Sequence, residues 1–508
     1  MPVPPLIYPG SPLPLAYALD DQPHAFADFL ARYPDFASTQ ILDHLRATAY
    51  ARLDREDQVY LDYTGGGLYA DSQITAHMDL LRRGVFGNPH SHNPTSSAMT
   101  ELVEQARAYV LGYFNADPAE YTAIFTANAS AALKLVGEAY PFGPGGHYAL
   151  AADDHNSVNG IREFAKAKGA RVSYLPVTAP ELRLDWAALD AVLAEKGSGM
   201  PRLLAFPAQS NFFGVKHPLG LIDQAHAQGW DVLLDAAAFV PTNRLDLSVH
   251  HPDFVCLSFY KMFGYPTGVG ALIARREALA RLRRPWFAGG AITIASVKGD
   301  GHFLVEGEAG FEDGTVNYLA LPAVEIGLRH LESIGIETIG TRVACLTGWL
   351  LDDLSALGHS NGRPLVQIHG PRNTVDRGGA IALNLLDPDG NAISSGRVEH
   401  LAAHARISLR TGCFCNPGCG EIAYAIPDEL MRSFFTGSEA LHFNQLVEIM
   451  QERHHISVSA IRVSVGLATA FADVYRLLAF LARFRDRSCA DIGEIDVVPQ
   501  HAYTRDAA

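Results

Sequence analysis

A chain of 508 residues is too long for one simple core, so two joined domains are the natural expectation. With 48% apolar and 19% charged residues, the composition is that of an ordinary globular protein and excludes a disordered or collagen-like chain. The formal net charge of -15 repels phosphate backbones and argues against nucleic acid as a partner.

The opening "MPVPPLIYPGSPLPLAYALDD" lacks a basic segment and is rich in proline, which makes it an arm rather than a secretion signal. Two helical patterns follow, "HAFADFLARYPDF" and "TQILDHLRATAYARL", and the arm is expected to pack on something else. From "VYLDYTGGGLY" to about Leu321, helical segments alternate with the short apolar runs "TAIFTA", "HYALAA", "RVSYLPV", "RLLAFPA", "DVLLDA", "FVCLSF" and "GALIAR". That rhythm predicts an α/β fold with a mostly parallel seven-stranded sheet flanked by helices, with ligands at the carboxyl ends of the strands. The helix "ALPAVEIGLRHLESIG" then leads into "PLVQIHG", "GAIALNLL", "ARISLR" and "AIRVSVG", a smaller α+β domain ending in the helix "ADVYRLLAFLARFRDR". The expected divisions are an arm over 1–58, a large domain over 59–325, a small domain over 326–488 and a tail over 489–508. No apolar run is long enough to span a bilayer, and six cysteines without an export signal predict reduced thiols in the cytoplasm.

Two predicted strands end in charge, "DVLLDA" at Asp235 and "FVCLSFYK" at Lys261. A single Asp–Lys pair is by default a structural ion pair. Here Lys261 is set among Phe259, Tyr260, Phe263, Gly264, Gly268 and Gly270, where desolvation lowers the amine pKa and favours attack on a carbonyl. A facing carboxylate suits the ring nitrogen of pyridoxal phosphate. In "FTANASAALKLVGEA" a strand meets a helix that Ala129 and Ser130 would open, a ready anion site, although alone the segment is first an ordinary serine N-cap. His155 in "DDHNSVNGIR" could stack on a flat ring, although a lone histidine is more often structural.

"SLRTGCFCNPGCGE" holds Cys413, Cys415 and Cys419. The spacing C-x-C-x3-C lacks a fourth ligand at standard spacing, so zinc is disfavoured, and a disulfide does not suit a reducing compartment. A nucleophile fits better, because a strand and Arg410, whose charge favours a nearby thiolate, lead into a loop with Gly412, Pro417, Gly418 and Gly420. Cys256, Cys345 and Cys489 lie in strand-like or helix-like settings and are expected to be buried or incidental.

With "YLDYTGGGLY", "GNPHS", "QSNFFG", "EDGT" and "RVSVG", these segments fall in one order from about Tyr60 to Phe484. Together they resemble the class V branch of the fold-type I pyridoxal-phosphate enzymes, the cysteine desulfurase group, most similar to the desulfurase domain of molybdenum cofactor sulfurases. The resemblance implies Lys261 as Schiff-base lysine and proton shuttle, Asp235 as pyridinium partner and His155 as ring-stacking and catalytic residue. It places Asn211 near the cofactor's phenolic oxygen, Ala129, Ser130 and Ser258 at the phosphate, and Tyr260 where simpler desulfurases often have histidine. Thr315 is implied to reach the phosphate of a neighbouring subunit, hence a homodimer, and Arg462 to clamp the substrate carboxylate. Asn128 stands where many relatives have glycine, a position at which its tolerance of left-handed backbone would serve. With 508 residues the chain is expected to leave no room for the C-terminal cofactor-binding domain that eukaryotic sulfurases append, so sulfuration of molybdenum cofactor is not implied and the sulfur acceptor stays open.

The implied reaction is conversion of L-cysteine, or a related amino acid, to L-alanine, with the sulfur passing to Cys415 as a persulfide and on to an acceptor protein or cofactor. Another reaction of the same cofactor is the alternative: a C–S or C–Se lyase, an epimerase or an aminotransferase. A more distant one is a non-enzymatic sulfur or metal carrier.

Overall fold

The computed structural model describes residues 21–195, 197, 199–436, 445, 449–450 and 458–492. The first twenty residues of the expected arm and the tail from 493 onward lie outside them.

The seven apolar runs form one sheet, in the spatial order Tyr121–Thr126, Gly270–Arg275, Phe254–Ser258, Asp231–Asp235, Arg202–Pro207, His147–Ala151, Arg171–Leu175. Six strands point the same way, and Gly270–Arg275 opposes both of its neighbours. Helices cover both faces, which is why the strands are continuous apolar runs. Along Asp231–Asp235 the side chains alternate between layers, Val232 and Leu234 in one core and Leu233 in the other. The run "RVSYLPV" is shorter than expected: the sheet strand stops at Leu175, and Val177–Thr178 pairs instead with Arg183–Leu184. Pro176 has no N–H to continue the ladder.

Beyond the helices Pro322–Ile334 and Ile336–Ala356 lies a four-stranded antiparallel sheet, ordered Val366–His369, Ala380–Leu385, Ala460–Ser464, Arg410–Gly412. The run "ARISLR" is divided: Ile407–Ser408 pairs with Val59–Tyr60, and Arg410–Gly412 joins the four-stranded sheet. Near the N-terminus, Gln22–Arg32 and Pro34–Thr39 fasten to this second layer. Phe29 and Phe36 meet edge to face at 4.8 Å, and Phe29 packs on Phe471 at 4.9 Å. Arg342 donates to the Thr39 carbonyl at 2.8 Å and pairs with Asp43 at 2.7 Å. Among the described residues no helix is long and apolar enough to cross a membrane.

One close approach sets the spacing at the edge of the large sheet. A Cβ on Gly270 would fall 2.6 Å from the Asn128 backbone and 2.7 Å from the Leu257 carbonyl oxygen. Gly270→Ala is therefore expected to cost about 1–3 kcal/mol in chemical denaturation and to loosen the turn before Ala129.

Candidate active site

The carboxyl ends of five strands converge on a cavity of about 140 Å³. Ala129, Ser130, His155, Asn211, Asp235, Ser258, Tyr260 and Lys261 all line it.

Lys261 does not end a strand, as its sequence setting suggests. The strand stops at Ser258, and Lys261 sits on the single helical turn Phe259–Phe263. Gly264 closes that turn at φ +79, returning its N–H to the Tyr260 carbonyl at 3.0 Å. A Cβ there would meet the Tyr69 backbone nitrogen at 2.3 Å, so only glycine fits. Burial pushes the Lys261 amine down from its ordinary pKa, and the Asp235 charge opposes that shift. Asp235 is buried, and its carboxylate accepts one hydrogen bond among the described residues, from the Ala237 N–H at 3.0 Å.

His155 caps the short helix Asn156–Asn159, its Nδ1 accepting from the Ser157 N–H at 3.1 Å. Burial and then the neighbouring Lys261 charge bring its pKa down to about 4, so the ring is neutral at pH 7. Burial, then Arg171, likewise lowers His147, at the amino end of the strand His147–Ala151, to about 4. Both folded values lie below the unfolded value of 6.5, so the unfolded chain takes up these protons first. Stability is full above pH 6.5 and falls toward pH 4. A melting series on the cofactor-free protein should show this decline, flatter in His147→Gln.

At the other end of the cavity, Ala129 and Ser130 open the helix Ala129–Ala139. The cap is Asn128, whose side chain accepts from the Ala131 N–H at 2.9 Å. Its φ of -176 is extended, so the left-handed tolerance expected of it is not used; the capping oxygen is. Ser258 Oγ accepts from the Ala129 N–H at 2.8 Å, and Ser130 Oγ lies 2.6 Å from Ser157 Oγ. Three hydroxyls and a helix N-terminus thus make a cradle for an anion. Ser157 is the member that sequence reasoning missed.

Amine, neutral imidazole, a buried carboxylate that makes no close ion pair among the described residues, and anion cradle are the donor set that pyridoxal phosphate requires. The residues fit the group: Asp235 toward a protonated ring nitrogen, the cradle toward a phosphate.

The cysteine loop closes over this cavity. Asn211 Nδ2 donates to the Phe414 carbonyl at 2.8 Å, and the Asn156 N–H to the Cys415 carbonyl at 2.7 Å. Asn416 Nδ2 donates both to Asn211 Oδ1 at 2.9 Å and to the Asp153 carbonyl at 2.7 Å. Phe414 and Cys415 are both held at positive φ, 53 and 55, a backbone region uncommon for residues other than glycine. Cys415 is exposed, Cys413 partly buried and Cys419 buried, its Sγ 3.7 Å from Ser210 Oγ. Burial raises the Cys413 thiol pKa and pushes that of Cys419 well up. Among the described residues no three His, Cys, Asp or Glu side chains are grouped to hold a metal ion.

Arg462 is buried and pairs with Asp62 at 2.9 Å. Arg410, expected to favour the thiolate, has its guanidinium on Asp62 at 2.6 Å. Thr315 is not in the lysine cavity: it lines a separate one of about 330 Å³ and lies within 3.4 Å of Asn88 Nδ2. Asn416 and Asp62 were missed as functional residues. Asn416 carried a signal, since Asn followed by Pro is a helix N-cap with proline at the first helical position. Asp62 carried none.

The sheet order, the lysine on its turn and the anion cradle define the fold-type I architecture with a site that fits pyridoxal phosphate. The profile of the class-V aminotransferase family matches residues 59–477, and the chain belongs to that family. It is 37% identical over 469 residues to a molybdenum cofactor sulfurase of Bos taurus, matching 87% of this chain and 52% of that protein. To the molybdenum cofactor sulfurase of Solanum lycopersicum it is 34% identical over 495 residues, 91% of this chain and 60% of the other. The chain thus spans between about half and three-fifths of the curated relatives it matches. Among solved structures, the apo cysteine desulfurase of Thermococcus onnurineus NA1 superposes with a TM-score of 0.70 at 23% identity, covering 87% of this chain and 97% of that one. The cysteine desulfurase CsdA of Escherichia coli gives 0.66 at 20% identity, covering 87% and 98%. These two establish the fold.

Proposed function

We propose that the protein is a cysteine desulfurase that converts L-cysteine to L-alanine and takes the sulfur on Cys415 as a persulfide. The observation that carries this reading is an exposed thiol on a loop bonded across the lysine cavity.

Pyridoxal phosphate, when bound, supplies the electron sink that makes the substrate Cα proton removable. Asp235 would face its ring nitrogen, neutral His155 its ring, Asn211 and Tyr260 its edge, and Ala129, Ser130 and Ser258 its phosphate. Lys261, whose amine burial drives toward the neutral form, takes the proton from Cα and later returns one. Arg462 holds the substrate carboxylate, a task suited to a planar guanidinium. The Cys415 thiolate attacks the substrate Sγ. The S–S bond forms as Cβ–Sγ breaks, and the electron pair left at Cβ takes up a proton. One L-cysteine and one enzyme thiol become one L-alanine and one persulfide, with no external oxidant or reductant. An acceptor protein or cofactor then takes the sulfur.

The reading includes a homodimer in which Thr315 completes the phosphate site of the partner. In support, the antiparallel pair Ile292–Ser296 and Gly301–Leu304 leaves Ile294 58% and Phe303 71% exposed, apolar surface that a second copy would cover. It also includes the division into an arm (1–58), a large domain (59–325) that holds the cofactor, a small domain (326–488) and a tail (489–508). All six cysteines are free thiols, which suits the reducing cytoplasm.

The test is mass spectrometry of the peptide spanning Cys413–Cys419 after incubation with L-cysteine. A mass increment of one sulfur atom on Cys415, with an equivalent of alanine, is the expected result. Pyruvate in place of alanine, or sulfur confined to another thiol, would sink the reading.

A further inference from the structure

Arg410 and Arg462 are direct register partners across the antiparallel strands Arg410–Gly412 and Ala460–Ser464. Like charges set opposite each other on a sheet repel. Asp62 stands between them. Its Oδ2 accepts from Arg410 Nε at 2.9 Å and Nη2 at 2.6 Å, and its Oδ1 accepts from Arg462 Nη2 at 2.9 Å. Asp62 reaches this place because Val59–Tyr60 pairs with Ile407–Ser408 and Asp62 itself bridges to Ser464. The glycine-rich turn after it leaves the room: a Cβ on Gly65 would lie 2.5 Å from Asp62 Oδ2 and 2.7 Å from Arg410 Nη2.

Two guanidinium groups and one carboxylate leave one positive charge in excess. The excess falls on Arg462, which is 2% exposed, whereas the Arg410 side chain is 47% exposed to water. Arg462 Nη1 donates to the Asn211 carbonyl at 3.0 Å, but its buried Nε has no partner among the described residues. The Nε and Nη2 N–H groups share the edge of a guanidinium that grips a carboxylate in two-point fashion. Asp62 holds half of that edge, and no described residue takes the other half. A buried donor without an acceptor is costly, so that half calls for a second carboxylate.

We propose that Asp62 is a positioning residue that shares Arg462 with the substrate. Without substrate it restrains the guanidinium through Nη2. When a substrate carboxylate takes the Nε and Nη2 edge, Asp62 remains with Arg410 alone, and the cluster reaches charge balance with a single carboxylate. Arg410 thereby acts through Asp62, setting how readily Arg462 is released. The inference rests on Arg462 as the carboxylate seat of the proposed reaction.

The test reads binding rather than turnover. Propionate is titrated calorimetrically into the full chain, with and without pyridoxal phosphate, and Arg462→Gln should abolish its heat. Asp62→Asn is expected to tighten propionate by about tenfold, and Arg410→Gln to weaken it by about as much, because Asp62 then falls wholly to Arg462. A purely structural Asp62 would give the opposite sign or no change in Asp62→Asn, and either result overturns the inference. Arg410→Gln alters a half-exposed side chain and keeps the test open if Asp62→Asn does not fold; unchanged propionate binding in it likewise overturns the inference. If L-cysteine yields no alanine while propionate responds as stated, the desulfurase reading falls and the role of Asp62 stands. The converse pair of results overturns Asp62 alone.

Discussion

Replacing Lys261 by alanine is expected to lower alanine formation from L-cysteine by at least about 10³-fold, within the range that a positioned acid–base group contributes. Among the described residues no other amine shares the cavity: its remaining lining side chains are amide, hydroxyl, carboxylate, imidazole and small apolar groups. His155 cannot take over, since its pKa of about 4 makes it a weak base. Lys261→Arg should fail equally, because a guanidinium stays protonated at neutral pH. The measurement is alanine release at saturating L-cysteine, with the cofactor's absorbance recorded in parallel. Turnover within about tenfold of the wild type, a barrier change of only 1.4 kcal/mol, would remove Lys261 from the mechanism.

Cys415→Ser should abolish the persulfide and reduce alanine formation by about 10²–10⁴-fold, the scale on which reacting groups fail when deleted singly. Cofactor binding should be unaffected, since Cys415 does not line the cavity. Its neighbours should behave differently for physical reasons. Cys419 is buried against Ser210 with a strongly raised pKa, so its thiolate is scarce, and Cys419→Ser should leave the chemistry in place. Cys413→Ser should keep most of the activity, because partial burial also disfavours its thiolate. Iodoacetamide at neutral pH provides an independent reading, with Cys415 expected to be alkylated first. Wild-type alanine formation in Cys415→Ser, with sulfur found on Cys413, would move the nucleophile by two positions.

The strands of the large sheet were legible because both of its faces are covered. Runs such as "DVLLDA" and "GALIAR" are apolar throughout, and such a run has few other places to go. Strand ends were less legible. The Phe259–Phe263 turn and the break at Pro176 depend on which neighbouring carbonyl is in reach, as when the Phe259 N–H bonds to Val269. The bonds among the three cysteines' surroundings could not be read at all. Asn211 and Asn416, 205 positions apart, meet only because a strand of the large sheet and the loop of the small one end at the same cleft.

What the sequence by itself determined was chemistry by type and order: a lysine after an apolar run, an acid at the end of another, small residues before a helix, and three thiols among glycines. Local rules suffice there, since burial patterns and capping residues act within a few positions. The tertiary structure decided which of those groups act together. It exposed Cys415 and buried Cys419, gave Asn128 the capping role, and added Ser157 to the anion cradle. It also set Asp62 between two arginines 348 and 400 positions away. Those relations depend on distances of a few ångströms between segments far apart in the chain, and sequence spacing carries no record of such distances.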